Sequence, residues 1–321
     1  MILAVTVSPY LLSTSELDGD IEIGEANKIR LVTTVAGGFG TGVAATLFYG
    51  GHESFAVFPA PEISHYLRLV TIAGLPHDFI PVAGPIPMHL TMRDGNGNET
   101  KFKDSPMPLD VSQLAILRDL VVRRAEDASW VLLGGNLPSV APAAWFVDVV
   151  RSLRLYHPDV KVAIATTGPA LRAVIRQLAA TAPDALIVAA DELEKATGLE
   201  SRALRRPWSD GDYSPAIDAA KALIDRGISE VLVTNKRNES LYVSAGESLL
   251  GVYTAPSGKQ GVNWRESFTA GFLIASKENK DAIESLTHAV AYANAEGSEW
   301  ENYIPTPDRI KAENVSVTRL S

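Results

Sequence analysis

Strand-like and helix-like segments alternate regularly in the second half of the chain. The strand-like runs are WVLLG (130–134), KVAIAT (161–166), ALIVAA (185–190) and EVLVT (230–234), and the helix-like segments before them lie at 110–126, 143–155, 168–179 and 214–227. Strands joined through helices form a mostly parallel, doubly wound sheet with helices on both faces. We therefore expect an α/β fold whose ligands bind beyond the carboxyl ends of the strands.

The first half of the chain mixes the same alternation with short segments typical of antiparallel strands. ILAVTV and ESFAVF are strand-like, AGGFG (36–40) is a glycine-rich turn, and EISHYLRLVTIAG is a helix closed by Gly74. Alternating segments occur around DIEIGE (20–25) and KIRLVTTV, and GNGN (95–98) separates MHLTMRD from ETKFK as in a hairpin. We interpret residues 11–32 and 86–103 as a small β lid that interrupts one α/β domain spanning 1–321. The polar stretch 201–214 is expected to be a surface loop.

Composition excludes several classes of function. The net charge of −9 disfavours nucleic acid as a partner, because an acidic surface repels phosphate backbones. The chain has no cysteine, so it has no disulfides, thiolate metal sites or cysteine nucleophile. The apolar runs are of strand length rather than the roughly 20 residues that span a bilayer. MILAVTVS at the start resembles a first strand, not a signal peptide, so a cytoplasmic protein without membrane partners is expected.

The ordered set of motifs resembles the ribokinase-like PfkB family of carbohydrate kinases, closest to its 1-phosphofructokinase and tagatose-6-phosphate kinase branch. The resemblance runs through TVSPYLLSTSELD (6–18), GEANKIRLVTTVAGGFGTGVA (24–44), WVLLGGNLP (130–138), VAIATTGPAL (162–171), DELEKATG (191–198) and RESFTAGF (265–272). It implies a ribokinase-like fold with a β lid, an ATP- and Mg²⁺-dependent transfer to a sugar or sugar phosphate, and lids that pair two subunits into a homodimer.

Most positions at which this family contacts substrate carry other residues in this chain. The family's catalytic aspartate corresponds to Glu266, and its Gly-Ala-Gly anion hole corresponds to Asn263, Trp264 and Arg265. Leu12 stands where an aspartate holds the sugar hydroxyls. The remaining replacements are Phe39 and Gly42 for the lysine and asparagine of the GGKGxN loop, Pro87 and Lys103 for the lid arginine and asparagine, and Ala189 for the asparagine of Asn-x-x-Glu. Glycines that shape the backbone persist, among them Gly37, Gly38 and Gly40.

Each candidate site residue has a functional and a structural interpretation. Glu266 can act as a base that accepts a hydroxyl proton, or it can complement the helix dipole in a first turn. Arg265 can replace the lost glycine amides at a phosphate, or lie on the surface. Glu192, the glutamate of Asn-x-x-Glu, can organise Mg²⁺, or belong to a solvated acidic helix start.

The other candidates concern substrate and nucleotide. Gly37, Gly38 and Gly40 are assigned to substrate binding, although tight turning alone explains such a triplet. Thr234, which opens the nucleotide loop TNKRN (234–238), is assigned to the nucleotide together with Asn263 and Trp264. Lys236 and Arg237 stand in that loop where the family has small residues, so ATP and Mg²⁺ binding is expected to be weak or lost.

Two functions remain open at the level of the sequence. The first is a pseudokinase that binds a metabolite or a protein partner for regulation, and the coordinated loss of acceptor, anion-hole and base residues favours it. The second is an active ATP-dependent kinase that uses Glu266 as base and Arg265 to steady the phosphoryl group. The small-molecule ligand is expected to be a sugar phosphate or a nucleotide in either case.

Overall fold

The computed structural model describes residues 1–236, 238–255, 263–295 and 304–320. The strands are β1 (Ile2–Thr6), β2 (Tyr10–Leu17), β3 (Ile29–Gly37), β4 (Ser54–Ala60), β5 (His77–Pro81), β6 (Met88–Arg93), β7 (Glu99–Lys103), β8 (Trp130–Gly134), β9 (Lys161–Ala165), β10 (Ala185–Ala189), β11 (Glu230–Lys236), β12 (Glu239–Ser244), β13 (Ser248–Tyr253) and β14 (Val315–Arg319).

Helices alternate with these strands along most of the chain. They are α1 (Phe39–Tyr49), α2 (His65–Ile72), α3 (Val111–Arg124), α4 (Trp145–Tyr156), α5 (Gly168–Arg176), α6 (Leu178–Thr181), α7 (Ala190–Thr197), α8 (Arg205–Ser209), α9 (Ser214–Ile224), α10 (Trp264–Lys277) and α11 (Ala282–Asn294), with 3₁₀ turns at Ala125–Asp127, Pro307–Arg309 and Ala312–Asn314. No helix in the described ranges is long and apolar enough to cross a membrane.

The main sheet has the strand order β14-β13-β12-β11-β10-β9-β8-β1-β4-β5. Strands from β5 to β11 are parallel, and β11 to β14 pair antiparallel at one edge. In β1, Leu3 and Val5 pack into one core while Ile2 and Ala4 pack into the other, because successive side chains leave a strand on opposite faces. The predicted mostly parallel α/β fold with helices on both faces is confirmed.

A second sheet has the order β3-β2-β6-β7 and lies over the carboxyl ends of the main strands. It is built largely from residues 11–32 and 86–103, with β2 parallel to β6 and the other pairs antiparallel. The expected strand at DIEIGE is wrong, because this stretch is a loop between β2 and β3. The Asn27 side chain organises the loop by hydrogen bonds to the backbone of Glu22 in both directions, at 2.8 and 2.9 Å.

The stretch predicted to be a surface loop at 201–214 contains α8 and a buried anchor. Trp208 is 2% exposed, and its indole N–H donates to Glu239 at 2.9 Å. Glu194 on α7, also 2% exposed, accepts hydrogen bonds from the backbone N–H groups of Leu204 and Arg205 at 2.9 and 3.0 Å. Most residues of the stretch are exposed, as predicted, but it is not a simple loop, because the buried Glu194 carboxylate and the buried Trp208 anchor α8 to the core.

Candidate active site

A pocket of about 580 Å³ lies between the second sheet and the carboxyl ends of the parallel strands. Thr6, Gly134, Ala165, Ala189 and Thr234 come from the ends of β1, β8, β9, β10 and β11 and line its floor. The position is the one at which parallel sheets bind ligands. The sequence-predicted residues on its wall are Glu192, Thr234, Asn263, Trp264, Arg265 and Glu266.

The first turn of α10 forms one side of this pocket. Asn263 occupies the N-cap position, but its side chain makes no capping hydrogen bond. The early N–H groups of a helix have no partners within the helix, so this end favours a negative charge. Arg265 is exposed, and its guanidinium lies 4.6 Å from the centre of the Trp264 ring. The turn therefore offers a helix terminus and a nearby cation to an anionic ligand.

Glu266 lies on the same turn and contacts α1. A Cβ atom on Gly42 would lie 3.0 Å from Glu266 Cγ and 3.4 Å from Glu266 Cβ. The residue is half-buried, and burial of its carboxyl group raises the pKa from 4.5 to about 7, although a backbone hydrogen bond and the charge of Arg265 act in the opposite direction. A carboxyl group with this pKa is partly deprotonated at neutral pH and can accept a proton.

Tyr10 and His89, on adjacent strands of the second sheet, cover the pocket near Glu266. Their rings are stacked with centroids 3.9 Å apart and an interplanar angle of 25°. Burial and the charge of Glu266 both raise the pKa of Tyr10, while burial and the charge of Lys103 lower the pKa of His89. The pairing of β2 with β6, which aligns the two rings, leaves no short-range signal in the sequence.

Phe39 and Leu12 make part of the pocket wall apolar. The Phe39 ring lies so close to Gly134 that a Cβ atom there would be 2.4 Å from Phe39 Cδ1. The opposite side carries Lys101 and Lys103 on β7, which also line the pocket. Lys103 stands at the lid position noted in the sequence, whereas Lys101 has no sequence signal, since charges in an edge strand are typically solvated.

Gly37, Gly38 and Gly40 do not line the pocket. Cβ atoms at these positions would lie 2.4 Å from the Tyr10 ring, 2.5 Å from the Thr6 methyl group and 2.3 Å from the Val5 carbonyl oxygen, respectively. Gly38 also has a φ of 125°, which disfavours any other residue. These glycines allow α1 to approach β1 and β2 closely, and their role in substrate binding stays a prediction.

Known proteins share this architecture. No family model matches the chain. A 1-phosphofructokinase of Xanthomonas campestris pv. campestris is 24% identical over 285 residues, covering 88% of this chain and 86% of that protein. Phosphofructokinase-2 of Escherichia coli, in complex with potassium, superposes with a TM-score of 0.84 at 18% identity over 96% of both chains. The chain has the PfkB carbohydrate-kinase fold. A Thermotoga maritima structure described as a possible 1-phosphofructokinase agrees, with a TM-score of 0.83 and 16% identity over the full length of both chains.

The resemblance to the 1-phosphofructokinase branch of the PfkB family is thus confirmed, and the departures from its motifs lie together in space. Leu12, Phe39 and Glu266 all line the same pocket, and Gly42 lies beside the Glu266 side chain. The departures are therefore concentrated at the site rather than scattered through the PfkB fold.

In this arrangement the Glu192 carboxylate is poorly placed to act as a strong Mg²⁺ ligand. Its Oε2 accepts a hydrogen bond from Gly168 N–H at 3.0 Å, and its Oε1 accepts one from Lys195 Nζ at 2.7 Å. Both carboxylate oxygens are therefore engaged, one of them with a cation that competes with a metal ion. Within the described ranges, no group of three or more His, Asp or Glu side chains is arranged to hold a metal ion.

The three residues predicted to bind a nucleotide, Thr234, Asn263 and Trp264, all line the pocket. Thr234 is 3% exposed and lines the pocket at the end of β11. Lys236, two residues further on, is exposed. Arg237, which the sequence placed in the same loop, and Gly261, just before the α10 turn, lie outside the described residues.

Proposed function

We propose that this PfkB-type protein binds an anionic metabolite in the cleft and has lost, or retains only in greatly weakened form, phosphoryl transfer to a sugar. The observation that carries the proposal is the packing of Phe39 on Gly134, where the resemblance to the family places a phosphosugar-binding lysine. An aromatic ring in that space removes a positive charge and leaves less room for the acceptor. Leu12 likewise offers no hydrogen bond to sugar hydroxyls.

The chemistry of the remaining wall defines the proposed ligand. Arg265, Lys101 and Lys103 line the pocket, and the α10 terminus adds a favourable field for negative charge. This set suits a phosphorylated or carboxylated small molecule, with a sugar phosphate or a nucleotide as the leading classes. We propose that ATP and Mg²⁺ bind weakly, with a Kd of about 1 mM or poorer, because Glu192 is paired with Lys195.

A binding screen tests this proposal directly. Thermal unfolding and calorimetry with Mg·ATP, fructose 1-phosphate and tagatose 6-phosphate compare wild type with Arg265→Ala, since a ligand of the folded state raises its unfolding midpoint. We expect at least one anion to raise the midpoint in wild type and less in Arg265→Ala. Micromolar affinity for Mg·ATP, or no rise of the wild-type midpoint with any of the three ligands, contradicts the proposal.

A second function, an active carbohydrate kinase with Glu266 as base, is favoured by the pKa of about 7 at a carboxyl group in the cleft. In that case Glu266→Gln abolishes turnover because an amide cannot accept the proton, and Arg265→Ala slows it by about tenfold or more. Glu200→Gln, at an exposed glutamate, is the matched control. Several turnovers per second by wild type, within the usual range of roughly 1–10³ per second, would establish the kinase and refute the pseudokinase. The cytoplasmic location and the homodimer through the second sheet remain predictions for either function.

A further inference from the structure

Gly42 and Glu266 stand at two positions that both depart from the family motifs, and they touch each other. At the position of Glu266 the family motif has the shorter aspartate, and at the position of Gly42 it has asparagine. A Cβ atom on Gly42 would lie 3.0, 3.4 and 3.9 Å from Cγ, Cβ and Cδ of Glu266. A side chain at position 42 and the extra methylene of Glu266 therefore compete for one space.

Neither helix can easily move to relieve that contact. The Thr41 backbone N–H donates to Thr6 Oγ1 at 2.7 Å, and the Thr41 hydroxyl is hydrogen-bonded to Tyr66 at 2.8 Å, which fixes the first turn of α1. On the other side, Phe268 and Thr269 are fully buried and fix α10. A side chain added at position 42 must therefore displace the Glu266 side chain rather than the backbone.

We propose that Gly42 is a positioning residue that holds the Glu266 carboxyl group in its buried place by leaving the space beside it empty. The two exchanges relative to the family are one coupled change: the longer acid requires glycine at position 42, and a side chain at position 42 requires the shorter acid. The inference does not depend on catalysis, because its tests measure stability and titration. It goes beyond the proposed function in assigning a role to a residue that lies behind the pocket wall.

Helix propensity and the steric contact predict opposite effects of Gly42→Ala on stability, because alanine is a better helix former than glycine inside α1. Propensity alone predicts that Gly42→Ala raises the thermal unfolding midpoint. The steric contact predicts that Gly42→Ala lowers the midpoint in wild type and raises it in the Glu266→Asp background. Ala45→Gly, one turn further along the same helix, is the matched control and should lower the midpoint equally in both backgrounds.

A carboxyl titration distinguishes positioning from a purely structural role. With ¹³C-labelled glutamate, and the Glu266 signal assigned by its loss in Glu266→Asp, Gly42→Ala should move the pKa of Glu266 downward from about 7 as the group is pushed towards water. The ionisable groups facing it are Arg265 on α10 and Tyr10 on β2, and the ionisable residue of α1, Tyr49, lies at the other end of that helix. More distant groups on the pocket wall are His89, Lys101, Lys103, Asp191 and Glu192. All of them are unchanged in these variants.

Each result decides the question. The reversal of sign between backgrounds, together with the lowered pKa, supports the proposal. If Gly42→Ala raises the midpoint equally in both backgrounds, or lowers it equally in both, the coupling is refuted. Should Gly42→Ala fail to fold, folding of the Gly42→Ala, Glu266→Asp double variant supports the proposal, and failure of both refutes it. An unaltered Glu266 titration in folded Gly42→Ala also refutes it.

Discussion

Glu194 and Glu266 are both shielded from water, but their pKa values shift in opposite directions because their hydrogen-bond partners differ. Burial would raise the pKa of Glu194, but hydrogen bonds from the backbone N–H groups of Arg205, Leu204 and Arg202, with the charge of Arg205, lower it below its ordinary value. Glu266 has no comparable set of donors, so burial dominates and its pKa rises to about 7. Hydrogen-bond donors to the charged form, rather than depth alone, determine the direction of such shifts.

The raised pKa of Glu266 predicts a pH-dependent stability. The folded state holds a proton that the unfolded state has released between its ordinary pKa of 4.5 and about 7. The contribution of this group is therefore fully present below pH 4.5 and is lost as pH rises through 7. A half-buried group with this shift costs roughly 1–3 kcal/mol of unfolding free energy above pH 7. We expect Glu266→Gln to be the more stable protein by that amount at pH 8.

Urea unfolding of wild type and Glu266→Gln at pH 5, 6, 7 and 8 measures this difference. The advantage of the glutamine variant should grow from pH 5 to pH 8. Glu200→Gln, at an exposed position, should show no such growth. A gap between wild type and Glu266→Gln that is constant across the pH range would mean that the carboxyl group titrates normally.

The connection from α7 to α8 shows how one side chain organises an element. Glu194 accepts hydrogen bonds from three backbone N–H groups between Arg202 and Arg205 and a fourth from the Arg205 side chain. Removing an acceptor of this kind leaves several buried donors unsatisfied. We expect Glu194→Ala to lower the unfolding free energy by roughly 2–4 kcal/mol and to open residues 199–210 to proteolysis. Denaturant titration and limited proteolysis measure both, with Glu200→Ala as control, and intact wild-type-like resistance would contradict the assignment.

The strands of the parallel region were predictable from the sequence because each is an apolar run buried on both faces. WVLLG coincides with β8, and EVLVT begins β11. The antiparallel edge formed by β12, β13 and β14 was not predicted. In this part of the sheet β12 and β13 follow β11 without an intervening helix, and all three edge strands pair because they pack into the core under α11. Glu194 and Trp208 were missed for a related reason, because the polar sequence around them gives no sign of a buried acceptor.

The candidate site was predictable as far as family motifs extend. The position of Glu266, Arg265, Trp264 and Thr234 on one pocket follows from the motif order. The stack of Tyr10 on His89 depends on the register of two strands far apart in the sequence, and the engagement of Glu192 depends on Gly168, 24 residues away. Such contacts arise from tertiary packing, which no local pattern encodes.

At the scale of the whole molecule, the second sheet carries an exposed apolar surface. Its large apolar side chains with substantial exposure are Ile29 (47%), Leu31 (42%), Val32 (54%), Met88 (46%) and Phe102 (53%). The strand register places Val32, Met88 and Phe102 on one face of the sheet and Leu31 on the other. Exposed apolar side chains that share a face favour association. We expect a homodimer formed through this sheet, and Val32→Asp should shift it towards monomer by burying a charge at the interface. Sedimentation velocity at micromolar concentration measures the shift, with Ile72→Asp on α2 as the control that leaves the dimer intact. A wild-type monomer would contradict the expectation.

The steric relation between Gly42 and Glu266 constrains any attempt to restore kinase activity. Returning only residues 263–266 to Gly-Ala-Gly-Asp restores a helix-terminal anion hole and a shorter base. It leaves Leu12 in place of the sugar-binding acid and the Phe39 ring against Gly134. Conversely, Gly42→Asn with Glu266 retained places a Cβ atom 3.0 Å from Glu266 Cγ, so the Glu266 side chain must move from its place.

We therefore expect turnover only when base, anion hole and acceptor pocket are restored together. The full set is Leu12→Asp, Phe39→Lys, Gly42→Asn, Asn263→Gly, Trp264→Ala, Arg265→Gly and Glu266→Asp. With fructose 1-phosphate and ATP in a coupled assay, this variant should exceed wild type by at least a factor of about 100, the usual effect of one oxyanion-type donor. The variant restored only at 263–266 should stay at the wild-type level, and the full set with Gly42→Asn but without Glu266→Asp should unfold at a lower temperature. Strong turnover by the 263–266 variant alone would mean that Leu12 and Phe39 do not obstruct the acceptor.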